Sequence, residues 1–404
     1  MPGIKETILS GSAELREEVL SIRRHLHKYP ELSYQETETS LFICNWLKKN
    51  GIPFRDKIAG TGIIGELRGK GKGNLVIAIR AEMDALPVLE RTETEYASVN
   101  TGKMHACGHD AHMAILMGTA LMLQKISSHF GGTVLLIFQP GEEKSPGGAK
   151  LMIESGELNK PKPDIIIATH NLPELESGKI GYRSGRYMAS CDEIYITVTG
   201  RGGHAALPGL TTDQIYIAAK LITRLKESMS RENEVPTVLG IGRISGEGAT
   251  NVIPEKVEIA GTFRTFDEGW RAGGIDLVRK IAAATAEEYG VRIDVRIEEG
   301  YPVLINDENL TMMAKEFSEE LLGRENVRIF DMRLTSDDFS FYSALAPSLY
   351  FRTGMSKTKS GGETRKLHTP EFDIDEDGLI TGVANMSWLI FSFLKRQIQY
   401  LTGE

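Results

Sequence analysis

Apolar residues recur at helical spacing over residues 12–29, where Leu15, Val19, Ile22 and Leu26 share one face and Ser12 is placed to cap the helix. The stretch "ETETSLFICNWLKKNG" repeats the pattern and carries its own stop, Lys48 and Lys49 before Gly51. A second texture then sets in. "NLVIAIRAEMD", "GTVLLIFQPGEE", "PDIIIATHN" and "APSLYFRTG" are short, almost wholly apolar and rich in β-formers, as strands covered on both faces by helices should be. Helical segments at 113–126 and 309–322 lie between or beyond them. This is the pattern of an α/β domain with a mainly parallel sheet.

A third texture begins near residue 188. "DEIYITVTG" reads as a strand, "TTDQIYIAAKLITRLKESM" as a helix, "TVLGIGRIS" and "KVEIAGTFRTF" as strands, "GIDLVRKIAAATAEEYG" as a helix and "VRIDVRIEEG" as a strand. The order β-α-β-β-α-β is the ferredoxin-like α+β pattern. Its strands alternate apolar and polar residues, so helices should cover one face of the sheet and leave the other exposed. The α/β texture resumes after about residue 300. The expected organisation is a discontinuous domain, 1–187 and 299–404, with an inserted domain at 188–298.

The 404-residue length agrees with two domains. Lys and Arg number 47 against 55 Asp and Glu, a net charge of −8, so no basic excess exists to neutralise phosphates. Nucleic acid and membrane surface are therefore poor partners. The N-terminal stretch lacks a basic segment followed by an apolar core, and no apolar run approaches the roughly 20 residues that span a bilayer. A cytoplasmic location is the expectation. The three cysteines, Cys44, Cys107 and Cys191, are odd in number and widely spaced, which argues against a disulfide framework. Cys44 and Cys191 read as ordinary core.

In open parallel sheets, ligands bind beyond the carboxyl ends of the strands. Just past the apolar runs stand Glu82 and Asp84, then Glu142 and Glu143, then His170. "MHACGHDAHM" at 104–113 contributes from the start of the next helix, with Asp110 as its expected N-cap and Cys107 near the helix's positive end, which favours a thiolate. Cys107 is then a metal ligand, a nucleophile with His109 or His105 as its base, or a small buried side chain. Carboxylates and a thiolate sharing one cleft repel one another unless protons or cations intervene. Thiolate, imidazole and carboxylate together suit zinc best, with manganese, cobalt and nickel as the other fits. So many ligands point to two metal ions about 3.5–4 Å apart. His105 and His112 read as supporting groups, His25 and His27 as structural, and His129 as a helix-end residue. "GRGGHAALP" lacks the Lys-Ser/Thr ending of a phosphate loop and reads as a turn presenting His204 to a ligand.

With these motifs assembled, the chain resembles the metal-dependent amidohydrolases that include aminoacylase-like enzymes, hippurate hydrolases and hydrolases of indoleacetyl-amino acids. "RRHLHKYPELSYQE", "RAEMDALPV", "MHACGHDAHMA", "QPGEE", "GRGGHAALP", "TNVIP", "SDDFSFY" and "LHTPEFD" carry the resemblance in order along nearly the whole chain. It implies a zinc-exopeptidase-like catalytic domain with an inserted lid or dimerisation domain, and a homodimer or higher homo-oligomer. It further implies that Cys107, His109, Glu143, His170 and His368 hold two metals, with Cys107 as a bridge. Glu142 would be the general base, His204 would stabilise the oxyanion from the same chain or across a dimer, and Asn251 would contact substrate. The resemblance points less directly to Arg264, in "GTFRTF", as a further substrate position. Asp84 is read as orienting a ligand. Glu82 stands where many relatives have Asp, and Asp337-Asp338 replaces the usual Glu-Asp, so these positions receive no ligand role. The implied reaction is hydrolysis of an N-acyl amino acid or short peptide-like amide. A carboxypeptidase or dipeptidase, a Cys107-nucleophile hydrolase and a metal-stapled binding module are the alternatives.

Overall fold

The computed structural model describes residues 3–231, 235–356 and 366–396. The chain divides into two compact units, one formed by Met1–Gly185, Ile305–Asp331 and Phe341–Glu404, the other by Arg186–Leu304 and Met332–Ser340. The second unit thus runs past the expected boundary at 298 and takes in residues 332–340. Backbone bonds from Ala189 N–H to the carbonyls of Arg333 and Thr335 tie that segment to it.

In the first unit the four apolar runs fold as the strands Val76–Glu82, Thr133–Gln139, Ile165–Glu176 and Ser348–Ser356. They occupy the middle of an eight-stranded mixed sheet. Thr133–Gln139, Val76–Glu82, Ile165–Glu176 and Ser348–Ser356 are neighbours in that order, all parallel, and antiparallel pairings flank them. Val76–Glu82 is buried along its whole length. This is why its sequence shows no alternation: a parallel strand packed on both faces has no solvent side to mark. The helices His109–Lys125 and Asp377–Arg396 pack against each other and supply much of the apolar cover. Asp377–Arg396 is, among the described residues, the one helix long and apolar enough to cross a membrane, and 83% of its most apolar window is buried inside the protein. It is a core helix.

Two local expectations change. Ser12 caps nothing, because it is a buried residue within a helix spanning Ile4–Glu14; the helix Arg16–Lys28 follows after a break at Leu15. Asp110 lies inside the first turn of His109–Lys125, whose N-cap is Gly108 in the left-handed region.

The second unit is ferredoxin-like. Its strands run Thr237–Ser245, Lys256–Thr265, Asp192–Thr199, Arg292–Glu299 across the sheet, all pairings antiparallel. Helices Gln214–Arg231 and Glu268–Tyr289 cover one face, where Ile194, Ile196 and Val198 meet Leu221, Leu225 and Val278. Arg271 holds its helix to the first strand through two bonds to Asp192, Nη2 to Oδ1 at 2.6 Å and Nε to Oδ2 at 2.9 Å.

Instead of capping, Asp110 joins a buried charge cluster. Fully buried Arg23 donates to Asp110 Oδ2 at 2.9 Å, Asp373 at 3.0 Å and Glu376 at 3.4 Å, and its guanidinium stacks 4.6 Å from the Tyr96 ring centre. His27 Nδ1 lies 2.8 Å from the same Asp110 oxygen. Burial alone would raise the Asp110 carboxyl; Arg23 and His27 overcome it and hold the group well below the usual carboxylate range. That pairing therefore contributes stability above the ordinary carboxylate pKa and loses it as the pH falls through the lowered folded value. Arg23→Met leaves these carboxylates facing one another without their shared cation. Urea unfolding at pH 7 should show a loss of about 3–5 kcal/mol, and a loss below about 1 kcal/mol, the scale of an exposed ion pair, would contradict the assignment.

Candidate metal centre

The chain approaches the centre through "HACGHD". Gly108 has φ +87°, and a Cβ there would sit 2.1 Å from the Asn171 amide nitrogen. Only glycine fits this reversal. Asn171 uses that amide group to donate to the Cys107 carbonyl at 2.6 Å. The thiol is thereby fixed just before the helix and the His109 ring just inside it.

His109 Nδ1 donates to the Asp84 carbonyl at 2.8 Å, with Asp84 Oδ1 3.3 Å away. Its Nε2 is buried and has no hydrogen-bond partner. An imidazole anchored by one nitrogen with the other bare and desolvated has the arrangement of a metal ligand with an oriented tautomer. His170 repeats it: Nδ1 donates to the Asn171 carbonyl at 2.7 Å and Nε2 lies 3.4 Å from Cys107 Sγ. His368 arrives from a separate loop with φ +62°, rare for a non-glycine residue, and its N–H is bound by the Ala106 carbonyl at 2.8 Å. Its Nε2 lies 3.4 Å from Glu143 Oε1, which is otherwise a buried orphan.

Donor atoms of Cys107, His109 and His170 lie within 4.8 Å of one another, as do those of Cys107, Glu143 and His368, and those of His109, Glu142 and Glu143. Cys107 is shared by the first two groups, and Glu143 links the last two. These residues come from the loop that follows Thr133–Gln139, from within Ile165–Glu176, from the helix entry and from the His368 loop.

The electrostatics describe a site charged for a cation. Burial pushes the Cys107 thiol up, and the Glu143 carboxylate pushes it further. Burial works against a charged His109, yet Cys107 and Glu82 raise it well above its ordinary value. Hydrogen bonds to Cys107 and Glu143 raise His368 to about 10. Burial and Arg352 keep His170 well below, and so neutral. In the protein alone, protons held by the thiol and the imidazoles offset the carboxylates; divalent cations would accept the same donor set with every imidazole neutral. The donor chemistry and the unpartnered His109 Nε2 fit such ions.

Behind the ligands is a second layer that the sequence marked only in part. Asp84 Oδ2 accepts from Glu143 N–H at 2.9 Å and from Ser33 Oγ at 2.7 Å. His112 Nδ1 meets Glu82 Oε2 at 2.8 Å, and its Nε2 accepts the Asn171 N–H at 3.0 Å. Arg80 pairs with Glu82, and both are buried. His105 is buried with both ring nitrogens unpartnered, and burial lowers it to about 3. His27, expected to be merely structural, binds the same helix start through Asp110. Arg23, Arg80 and Asn171 were missed; only their place beside quoted motifs signals them, since an arginine in a strand or helix looks like a surface residue until its partners converge.

His204 and Asn251 belong to the second unit. They meet on a small ribbon, with His204 opposite Val252 and the Asn251 carbonyl accepting from Ala205 N–H at 2.9 Å; both residues are exposed. Arg264, in the same unit, donates to the Leu334 carbonyl at 2.9 Å.

Comparison with known proteins adds to this geometry. An N-acyl-L-amino acid amidohydrolase of Geobacillus stearothermophilus is 40% identical over 304 residues, 75% of this chain and 81% of that one. Thermostable carboxypeptidase 1 of Saccharolobus solfataricus is 35% identical over 393 residues, 96% and 98% of the two chains. The crystal structure of a dinuclear metal-binding M20 peptidase from Bacillus subtilis superposes with a TM-score of 0.79 at 32% identity, covering 95% of this chain and 99% of that one. The model of peptidase family M20/M25/M40 matches residues 78–391, the span that holds all of the candidate metal ligands. The chain belongs to that family and is a metal-dependent hydrolase.

Proposed function

We propose that the protein hydrolyses the amide bond of N-acyl amino acids with divalent metal ions that Cys107, His109, Glu143, His170 and His368 would hold, and with Glu142 as general base. The observation that carries this is the placing of Glu142 beside His109 and Glu143 in one cluster of donor atoms. A base standing next to the metal ligands is within reach of the water to be activated. Zinc is the proposed metal, because thiolate, imidazole and carboxylate suit it best.

Divalent ions bound there would supply Lewis acidity toward the amide carbonyl and the attacking water. Glu142 takes a proton from that water and passes it to the leaving nitrogen, so one carboxylate serves both halves of the reaction. Its burial, with 7% of its surface exposed, keeps competing solvent away. Asp84 holds the His109 ring in the tautomer that leaves Nε2 available. His204 and Asn251 are proposed to steady the oxyanion and the substrate; both are solvent-exposed donors on a short ribbon. The amidohydrolase relative supports the N-acyl amino acid class. The carboxypeptidase relative supports a peptide-like acyl group as the second reading. A homodimer is part of the proposal, and sedimentation showing only monomer would remove it.

Glu142→Gln should keep its bound metal and lose roughly 10²–10⁴-fold in kcat; full activity would remove Glu142 from its role. Exhaustive chelation should abolish hydrolysis, and adding back zinc, manganese or cobalt should restore it. Activity that survives chelation but is destroyed by a thiol-alkylating reagent would instead identify Cys107 as a nucleophile. A panel of N-acetyl, N-benzoyl and indoleacetyl amino acids beside dipeptides should show faster turnover of the acylated series, whereas a preference for free-amino dipeptides would select the peptidase reading.

A further inference from the structure

The segment "SYQE", Ser33–Glu36, lies far in sequence from the metal ligands, and only Ser33, through Asp84, has entered the account above. It nevertheless holds the loop that carries Glu142. Glu36 is fully buried, and its Oε1 accepts from Gly141 N–H at 2.8 Å while its Oε2 accepts from Thr61 Oγ1 at 2.8 Å. The Tyr34 hydroxyl donates to the Lys144 carbonyl at 2.7 Å. Ser33 Oγ donates to Asp84 Oδ2, the oxygen that receives Glu143 N–H. Glu142 is thus bracketed. The amide before it is tied to Glu36, the amide after it to Asp84, and the carbonyl beyond that to Tyr34.

Two backbone features show that this contact is specified. Tyr34 has φ +64°, a conformation that a bulky residue adopts only where its surroundings impose it. Its N–H is held by the same Glu36 oxygen at 2.9 Å. Opposite, Gly141 has φ +57°, and a Cβ there would lie 2.2 Å from the Tyr34 ring. A side chain at position 141 could not share that space with the Tyr34 ring without movement.

We propose that Ser33, Tyr34 and Glu36 are positioning residues for Glu142, fixing the backbone on either side of it so that its carboxylate is aimed before substrate binds. The inference rests on Glu142 being the general base. It separates geometry of the base from retention of metal, because none of these three side chains is among the proposed ligands.

The test compares Tyr34→Phe, which keeps the ring against Gly141 and loses only the hydroxyl, with Glu36→Met, Glu36→Gln and Glu142→Gln. Steady-state hydrolysis of an N-acetyl amino acid and bound metal per chain are measured on each purified enzyme at saturating zinc. Since a misplacement of about 1 Å can cost about 10²-fold, Tyr34→Phe should lower kcat about 10-fold and Glu36→Met between about 10- and 100-fold. KM and metal content should stay near those of the parent. Glu36→Gln retains a carbonyl that accepts both N–H groups, so it should restore kcat to within about threefold of the parent. If Glu142→Gln is inactive while Tyr34→Phe and Glu36→Met retain full kcat, the positioning role is overturned and the base survives. If their loss follows loss of metal, or if Glu36→Gln is as impaired as Glu36→Met, the positioning role is also overturned. Full activity in Glu142→Gln would remove the base itself, and with it the reason for the bracket.

Discussion

The structure depends on keeping a thiol, a carboxylate and two imidazoles together where little water reaches them, with a third imidazole, His368, at the exposed rim. Cys107, His109 and His170 are buried, and Glu143 is largely so. Anionic donors so arranged repel one another and raise one another's pKa. Without cations the balance falls to protons, which is why His109 and His368 are raised while burial keeps the Cys107 thiol up. Divalent cations would suit such a donor set. The fold therefore has to hold these groups in place against their own repulsion.

That holding is done in layers packed behind the clustered donors. Asp84 carries the His109 ring and the Glu143 amide. Glu82, neutralised by Arg80, carries His112, which in turn carries the backbone next to His170 through Asn171. Arg23 ties the residue after His109 to Asp373 and Glu376, in the segment that follows His368. Ligands from distant parts of the sequence thereby share a common frame. Glu82 meets Arg80 through one carboxylate oxygen and His112 through the other.

The fold was legible where burial is one-sided or complete. Period-two alternation in "DEIYITVTG" and unbroken apolar runs such as "VIAIRAE" each allow one kind of sheet position. Helix starts were read less well. Asp110 has the chemistry of a cap, but Gly108 can adopt the left-handed turn that the crowding by Asn171 demands, so the cap falls two residues earlier and Asp110 turns inward to Arg23. Ser12 failed for a related reason, since the helix periodicity begins earlier, at Ile4. Among site residues, those with intrinsic metal chemistry announced themselves by type and by their place at strand ends. Arg23, Arg80, Tyr34 and Glu36 did not. Arg23 shows no local sign of its burial, because Asp110, Asp373 and Glu376 are distant in sequence; Arg80 has Glu82 two positions on, a spacing that an exposed pair shares equally.

The most direct test is X-ray absorption at the zinc edge of the zinc-loaded protein. A dinuclear centre with Cys107 as ligand predicts a sulfur scatterer at about 2.3 Å and a metal–metal vector at about 3.5–4 Å, with the sulfur shell lost in Cys107→Ser. A spectrum containing only nitrogen and oxygen scatterers, with no second metal in range, would contradict the account.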